Sequence, residues 1–133
     1  MKLQISTDYA VRILQCLHKH EGGMLTAMEI AESTGITYPF FIKIALQLKK
    51  KGLLNSVQGR NGGYLLGKSA HKISIYDVFL CIEGEVQFCP HLKNGKSCLR
   101  GEASACKLHT FLYDLQEKLI EEMSNQSIAD LVA

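Results

Sequence analysis

The segment TAMEIAESTGITYPFFIKIALQLKK, residues 26–50, reads as two helices separated by a tight turn. Thr26 followed three residues later by Glu29 is a capping box, and Ile30 and Ala31 point a short helix inward until Gly35 stops it. Thr37 can cap the second helix and Pro39 is tolerated in its first turn. Phe41, Ile44, Ala45 and Leu48 then form an apolar stripe running up to Gly52. Lys43, Gln47 and Lys50 project away from that stripe. A short helix, a glycine turn and a longer polar-faced helix make a helix-turn-helix, whose second helix enters the major groove and reads base edges from its N-terminal end. Thr37, Tyr38 and Lys43 occupy the reading positions, with Gln47 one turn beyond Lys43.

The chain continues LLNSVQGRNGGYLLG, residues 53–67, as strand, glycine-rich turn and strand. Gly59, Gly62 and Gly63 are expected to take the positive backbone angles of a tight hairpin. A hairpin directly after a recognition helix is a wing. Arg60 at its tip, beside Asn61 and Gly62, is placed to reach a phosphate or the narrow minor groove. Charge follows the same boundaries: from Thr37 to Lys68 the cations are Lys43, Lys49, Lys50, Lys51, Arg60 and Lys68, with no Asp or Glu. Such a stretch favours a polyanion, and double-stranded DNA is the expected partner.

Around this centre the 133 residues, 47% hydrophobic, suffice for one compact core without disulfides. Ser6-Thr7-Asp8 offers cap oxygens and a first-turn acid to a helix over about residues 8–19, whose apolar positions are Ala10, Ile13, Leu14 and Leu17. Ser74 can cap a fourth helix through Val78, Phe79, Leu80 and Ile82 to Gly84. Leu108, Phe111, Leu112, Leu115, Leu119 and Met123 stripe a final helix of at least four turns, which must pack on its own domain or on a copy of itself. An antiparallel homodimer is the favoured expectation. No secretory leader pattern and no run of roughly 18 apolar residues is present, so the chain is expected to be cytoplasmic and free of membrane.

Five cysteines in a reducing compartment argue for metal or redox chemistry rather than a disulfide framework. Cys16 and Cys81 fall on apolar helix faces and read as small core residues. Cys89, Cys98 and Cys106 follow a C-x8-C-x7-C spacing in a polar, glycine-punctuated segment, and His109 comes three residues after the last. Three thiolates with an optional fourth ligand suit an iron–sulfur cluster. Structural zinc, which usually shows a tighter cysteine knuckle, is the second choice, and a metal-free thiol sensor the third. No nucleotide-binding loop or paired nucleophile and base points to an enzyme.

STDYAVRIL near the start, GRNGGYLLGK in the wing, the three-cysteine segment, CKLH before the last helix and IADLV near the end together resemble the Rrf-type winged-helix regulators over essentially the whole chain. The resemblance implies a homodimeric transcription factor whose C-terminal helices cross between subunits and whose cysteine segment holds an iron–sulfur cluster. It also implies the ligands Cys89, Cys98 and Cys106, although the gaps between them are longer here. CKLH is similar to the cluster-assembly branch, making His109 a ligand to a 2Fe-2S cluster. TDYAVR is similar to the nitric-oxide-sensing branch, where the acid at Asp8 reaches a 4Fe-4S cluster from the other subunit. The expected architecture is mainly α with a small β-hairpin wing. A winged helix-turn-helix spans residues 1–84, a cysteine-rich cluster-binding loop 85–106, and a long C-terminal dimerisation helix with its tail 107–133.

Overall fold

The computed structural model describes residues 2–20, 23–88 and 107–132. Among the described residues five α-helices, α1 (Ile5–Lys19), α2 (Ala27–Thr34), α3 (Tyr38–Lys50), α4 (Ile75–Ile82) and α5 (Lys107–Ser124), accompany one antiparallel hairpin of β1 (Leu54–Val57) and β2 (Gly63–Leu66). The winged helix-turn-helix with a long C-terminal helix is thus present. Its core is a single cluster: Ile13 and Leu14 of α1, Ile30 of α2, Phe41, Ile44 and Leu48 of α3, Leu54, Ile73 and Val78 are all essentially inaccessible. No helix among the described residues is long and apolar enough to cross a membrane.

Local sequence signals set both ends of α2 and the start of α4. Thr26 Oγ1 accepts from the Glu29 amide at 3.2 Å while the Glu29 carboxylate accepts from the Thr26 amide at 3.3 Å, completing the expected box. Ser74 and Asp77 form the same arrangement at the start of α4. Gly35 ends α2 in the left-handed conformation, φ 74°, which a residue with a Cβ rarely adopts.

Two expected caps are not used. Thr37 precedes α3 in extended conformation, but its side chain makes no cap hydrogen bond. At α1 the helix begins at Ile5, ahead of the Ser6-Thr7-Asp8 oxygens, with Gln4 as the flanking residue. The Glu83 carboxylate, just past α4, takes their place. It accepts from the Gln4 amide at 2.7 Å and from the Thr7 hydroxyl, doing from a distant part of the chain what a box glutamate does locally.

The hairpin pairs Leu54 with Leu66 and Val57 with Gly63, leaving residues 58–62 as its tip. Of the three glycines expected to need positive φ, only Gly59 does, at 109°. Gly62 and Gly63 answer to space instead, because a Cβ would fall 2.0 Å from the Val57 carbonyl oxygen and 2.7 Å from that of Leu25. Leu25 and Tyr64 exchange backbone hydrogen bonds of 3.1 and 2.7 Å, adding a one-residue third strand to the wing.

After α5 the chain returns to the winged-helix body. The Gln126 carbonyl accepts from the Ile75 amide and the Ile73 carbonyl from the Ile128 amide, both at 2.8 Å. Ile128 enters the core with no exposed surface. Gln15 of α1 donates to the Leu131 carbonyl at 2.9 Å, within a final 3₁₀ turn over Ala129–Leu131.

Candidate nucleic-acid interface and cysteine segment

Burial divides α3 into two sides. Phe41, Ile44, Ala45 and Leu48 face the core, so the reading residues Thr37, Tyr38 and Lys43 are left on the solvent side, Tyr38 at 47% exposure. Gln47 is only half-buried, and its carbonyl accepts a hydrogen bond from the Cys81 thiol at 3.3 Å. Leu46 was not anticipated. It is 54% exposed on the helix side that carries Lys43 three residues earlier, an apolar residue outside the core stripe. Its signal in the sequence was that break in spacing.

At the wing tip Arg60 and Asn61 are exposed while Gly62 is partly covered by the hairpin itself. The hairpin is fastened to α3 in two ways. Tyr64 of β2 sets its ring edge-on to Phe41 at 5.1 Å between centroids, and Lys49 Nζ donates to Ser56 Oγ of β1 at 2.7 Å. α3 and the wing are therefore fastened together, and Lys43, Lys49, Lys50, Lys51 and Arg60 are all exposed.

Cys89, Cys98 and Cys106 lie outside the described residues. The two candidate fourth ligands have different settings. Asp8 is exposed in the first turn of α1, with its carboxylate 3.0 Å from the Arg12 guanidinium. His109 is buried in the first turn of α5, at 8% exposure. Among the described residues no three His, Cys, Asp or Glu side chains are grouped to hold a metal. As a donor set, three thiolates within the chain leading to a buried imidazole fit a soft metal centre or cluster. The remaining cysteines sit where expected: Cys16 and Cys81 are both partly buried against the core, Cys16 Sγ 3.5 Å from the Ser33 hydroxyl. Burial pushes the Cys81 thiol above its ordinary pKa, partly offset by the nearby Lys51 charge.

The family model described as Rrf2, iron-dependent transcriptional regulator, matches residues 3–133. The HTH-type transcriptional regulator IscR of Erwinia tasmaniensis is 34% identical, the alignment covering 99% of this chain and 79% of that protein. IscR of Pectobacterium atrosepticum is 32% identical over the same shares. Among solved structures, T. potens IscR superposes with a TM-score of 0.73 at 23% identity, covering 98% of this chain and 85% of that one. CymR, the global cysteine regulator of B. subtilis, does so with a TM-score of 0.79 at 21% identity, covering 98% and 95%. The relatives are named as regulators and not as enzymes, their fold is the one built here from capping, burial and hairpin register, and the chain belongs to the Rrf2 family of transcriptional regulators.

Proposed function

We propose that the chain acts as a cytoplasmic homodimer that binds a pseudo-palindromic operator in double-stranded DNA under the control of an iron–sulfur cluster. The observation that carries the DNA half is the solvent side of α3, with Thr37, Tyr38, Lys43 and Gln47, joined to a wing that presents Arg60, Asn61 and Gly62 without an acid between them. On this reading α3 lies in the major groove, where Leu46 meets a thymine methyl and Tyr38 and Lys43 meet base edges or phosphates. Arg60 enters the flanking minor groove or meets the backbone.

The dimer rests on α5, whose Leu108, Phe111 and Leu115 are 59%, 61% and 43% exposed at i, i+3 and i+7. Such a stripe calls for a partner surface, and a second α5 is the complementary one. Cys89, Cys98 and Cys106 would hold the cluster, and the burial of His109 supports it over Asp8 as fourth ligand within one subunit. Asp8, exposed and already paired with Arg12, is the alternative ligand, reaching the cluster from across a subunit interface. When bound, such a group supplies a centre reactive toward nitric oxide, oxygen or iron limitation. The chain's own part is to shield the imidazole from water and to tie α1 to the end of α4 through Glu83, just before the cysteine segment.

Binding is tested with a duplex that the wild-type chain selects from a randomised library. Lys43→Ala and Arg60→Ala should each weaken binding by about tenfold, and each lost phosphate contact should reduce the slope of log K against log salt by roughly 1. Unchanged affinity in both variants would put the DNA face elsewhere. Anaerobic preparations analysed for iron, sulfide and zinc test the cofactor. Near-equal iron and sulfide, lost on His109→Ala but not on Asp8→Ala, is the expected pattern, and about one zinc per chain would replace the cluster with a structural metal.

A further inference from the structure

The hairpin meets α3 at two points of different character. The Tyr64 ring stands edge-on to Phe41, and the Tyr64 backbone is bonded in both directions to Leu25. Lys49 in the last turn of α3 crosses to Ser56 of β1, Nζ to Oγ 2.7 Å. Ser56 and Tyr64 are themselves a cross-strand pair, so both fastenings act on the same rung of the ladder. A two-stranded ribbon twists readily. Beside the core contacts and the Leu25 bridge, the Lys49–Ser56 hydrogen bond is the polar tie between the end of α3 and β1. Lys49 is exposed, as are its neighbours Lys50 and Lys51, but its ammonium group is engaged by the Ser56 hydroxyl.

We propose that Lys49 is a positioning residue for DNA recognition. By donating to Ser56 it sets the inclination of the wing relative to α3, and so the spacing between the major-groove contacts of Tyr38 and Lys43 and the flanking contact of Arg60. Lys49 thereby acts through Ser56 and not through a phosphate. The inference rests on the winged-helix reading of DNA binding given above.

The test compares wild type, Lys49→Met, Ser56→Ala and the double variant on the selected duplex, with affinity, salt slope and hydroxyl-radical footprint measured together. Each single variant is expected to lose about threefold in affinity, the low end of what one exposed hydrogen bond contributes net, and the double variant no more than either. The salt slope stays at the wild-type value. Footprint protection weakens at the flank contacted by Arg60 and persists under α3. Ser56→Ala keeps the lysine charge, so a general electrostatic loss does not reproduce the pattern. A flatter slope in Lys49→Met with wild-type binding in Ser56→Ala would make Lys49 a phosphate ligand and overturn the proposal. Uniform loss of protection across the site, or a footprint unchanged in both variants, would overturn it as well. Lys43→Ala and Arg60→Ala run alongside: if they too bind as wild type, the DNA face itself has failed, and not the role of Lys49.

Discussion

A Cβ at position 62 would sit 2.0 Å from the Val57 carbonyl oxygen, and no flexible side chain is there to give way. Gly62→Ala should therefore destabilise the fold by about 2 kcal/mol, as overpacking against backbone does, read as a lower denaturant midpoint with unchanged m-value. An unaltered midpoint would mean that the tip reshapes freely. Cys81 makes a prediction of the opposite kind, because its effect appears only with pH. Burial raises its pKa in the folded chain, so the unfolded chain gives up the proton first as pH rises. Its contribution to stability is complete below the ordinary thiol value and is lost as pH climbs from there through the raised folded value. Cys81→Ala should flatten the alkaline fall in stability measured by urea titration across that window; an equally steep fall would assign it to other groups. The sequence left Asp8 and His109 as equal rivals for the fourth ligand. Their difference is one of burial, which spacing along a helix does not reveal until the packing of α5 is known.

Elements whose ends are fixed within four residues were legible in advance. The Thr26–Glu29 box, the Ser74 cap and the Gly35 stop needed nothing beyond local sequence. The start of α1 was not legible, since its carboxylate comes from Glu83, 76 positions from Thr7. The tail was missed for the same reason: Ile128 pairs with Ile73 and plugs the core, a contact no periodicity announces. For α5 the stripe was readable, and three of its members prove exposed. Replacing one of them, Phe111→Glu, should convert a dimer to a monomer in analytical ultracentrifugation while leaving the helix content by circular dichroism intact. A variant that still sediments as the wild type does would show that α5 is not the contact.

Across the whole molecule, the described elements that flank residues 89–106 in the chain are tied back to the winged-helix body. The Glu83 carboxylate joins the end of α4 to the start of α1, and the tail after α5 joins Ile73, Ile75 and Gln15. α1 packs in turn on α2 and α3. The helix-turn-helix and wing were legible because glycines, caps and charge all mark them. These long-range ties were not, because they are hydrogen bonds between ordinary polar residues far apart in the chain. The most direct measurement is the affinity of a single anaerobic preparation for its selected duplex before and after gentle removal of iron and sulfide. The account predicts that affinity or sequence preference changes by at least about tenfold, the lower range of a coupling energy of 1–3 kcal/mol. Equal affinity and equal preference in the two forms would contradict cluster control of DNA binding.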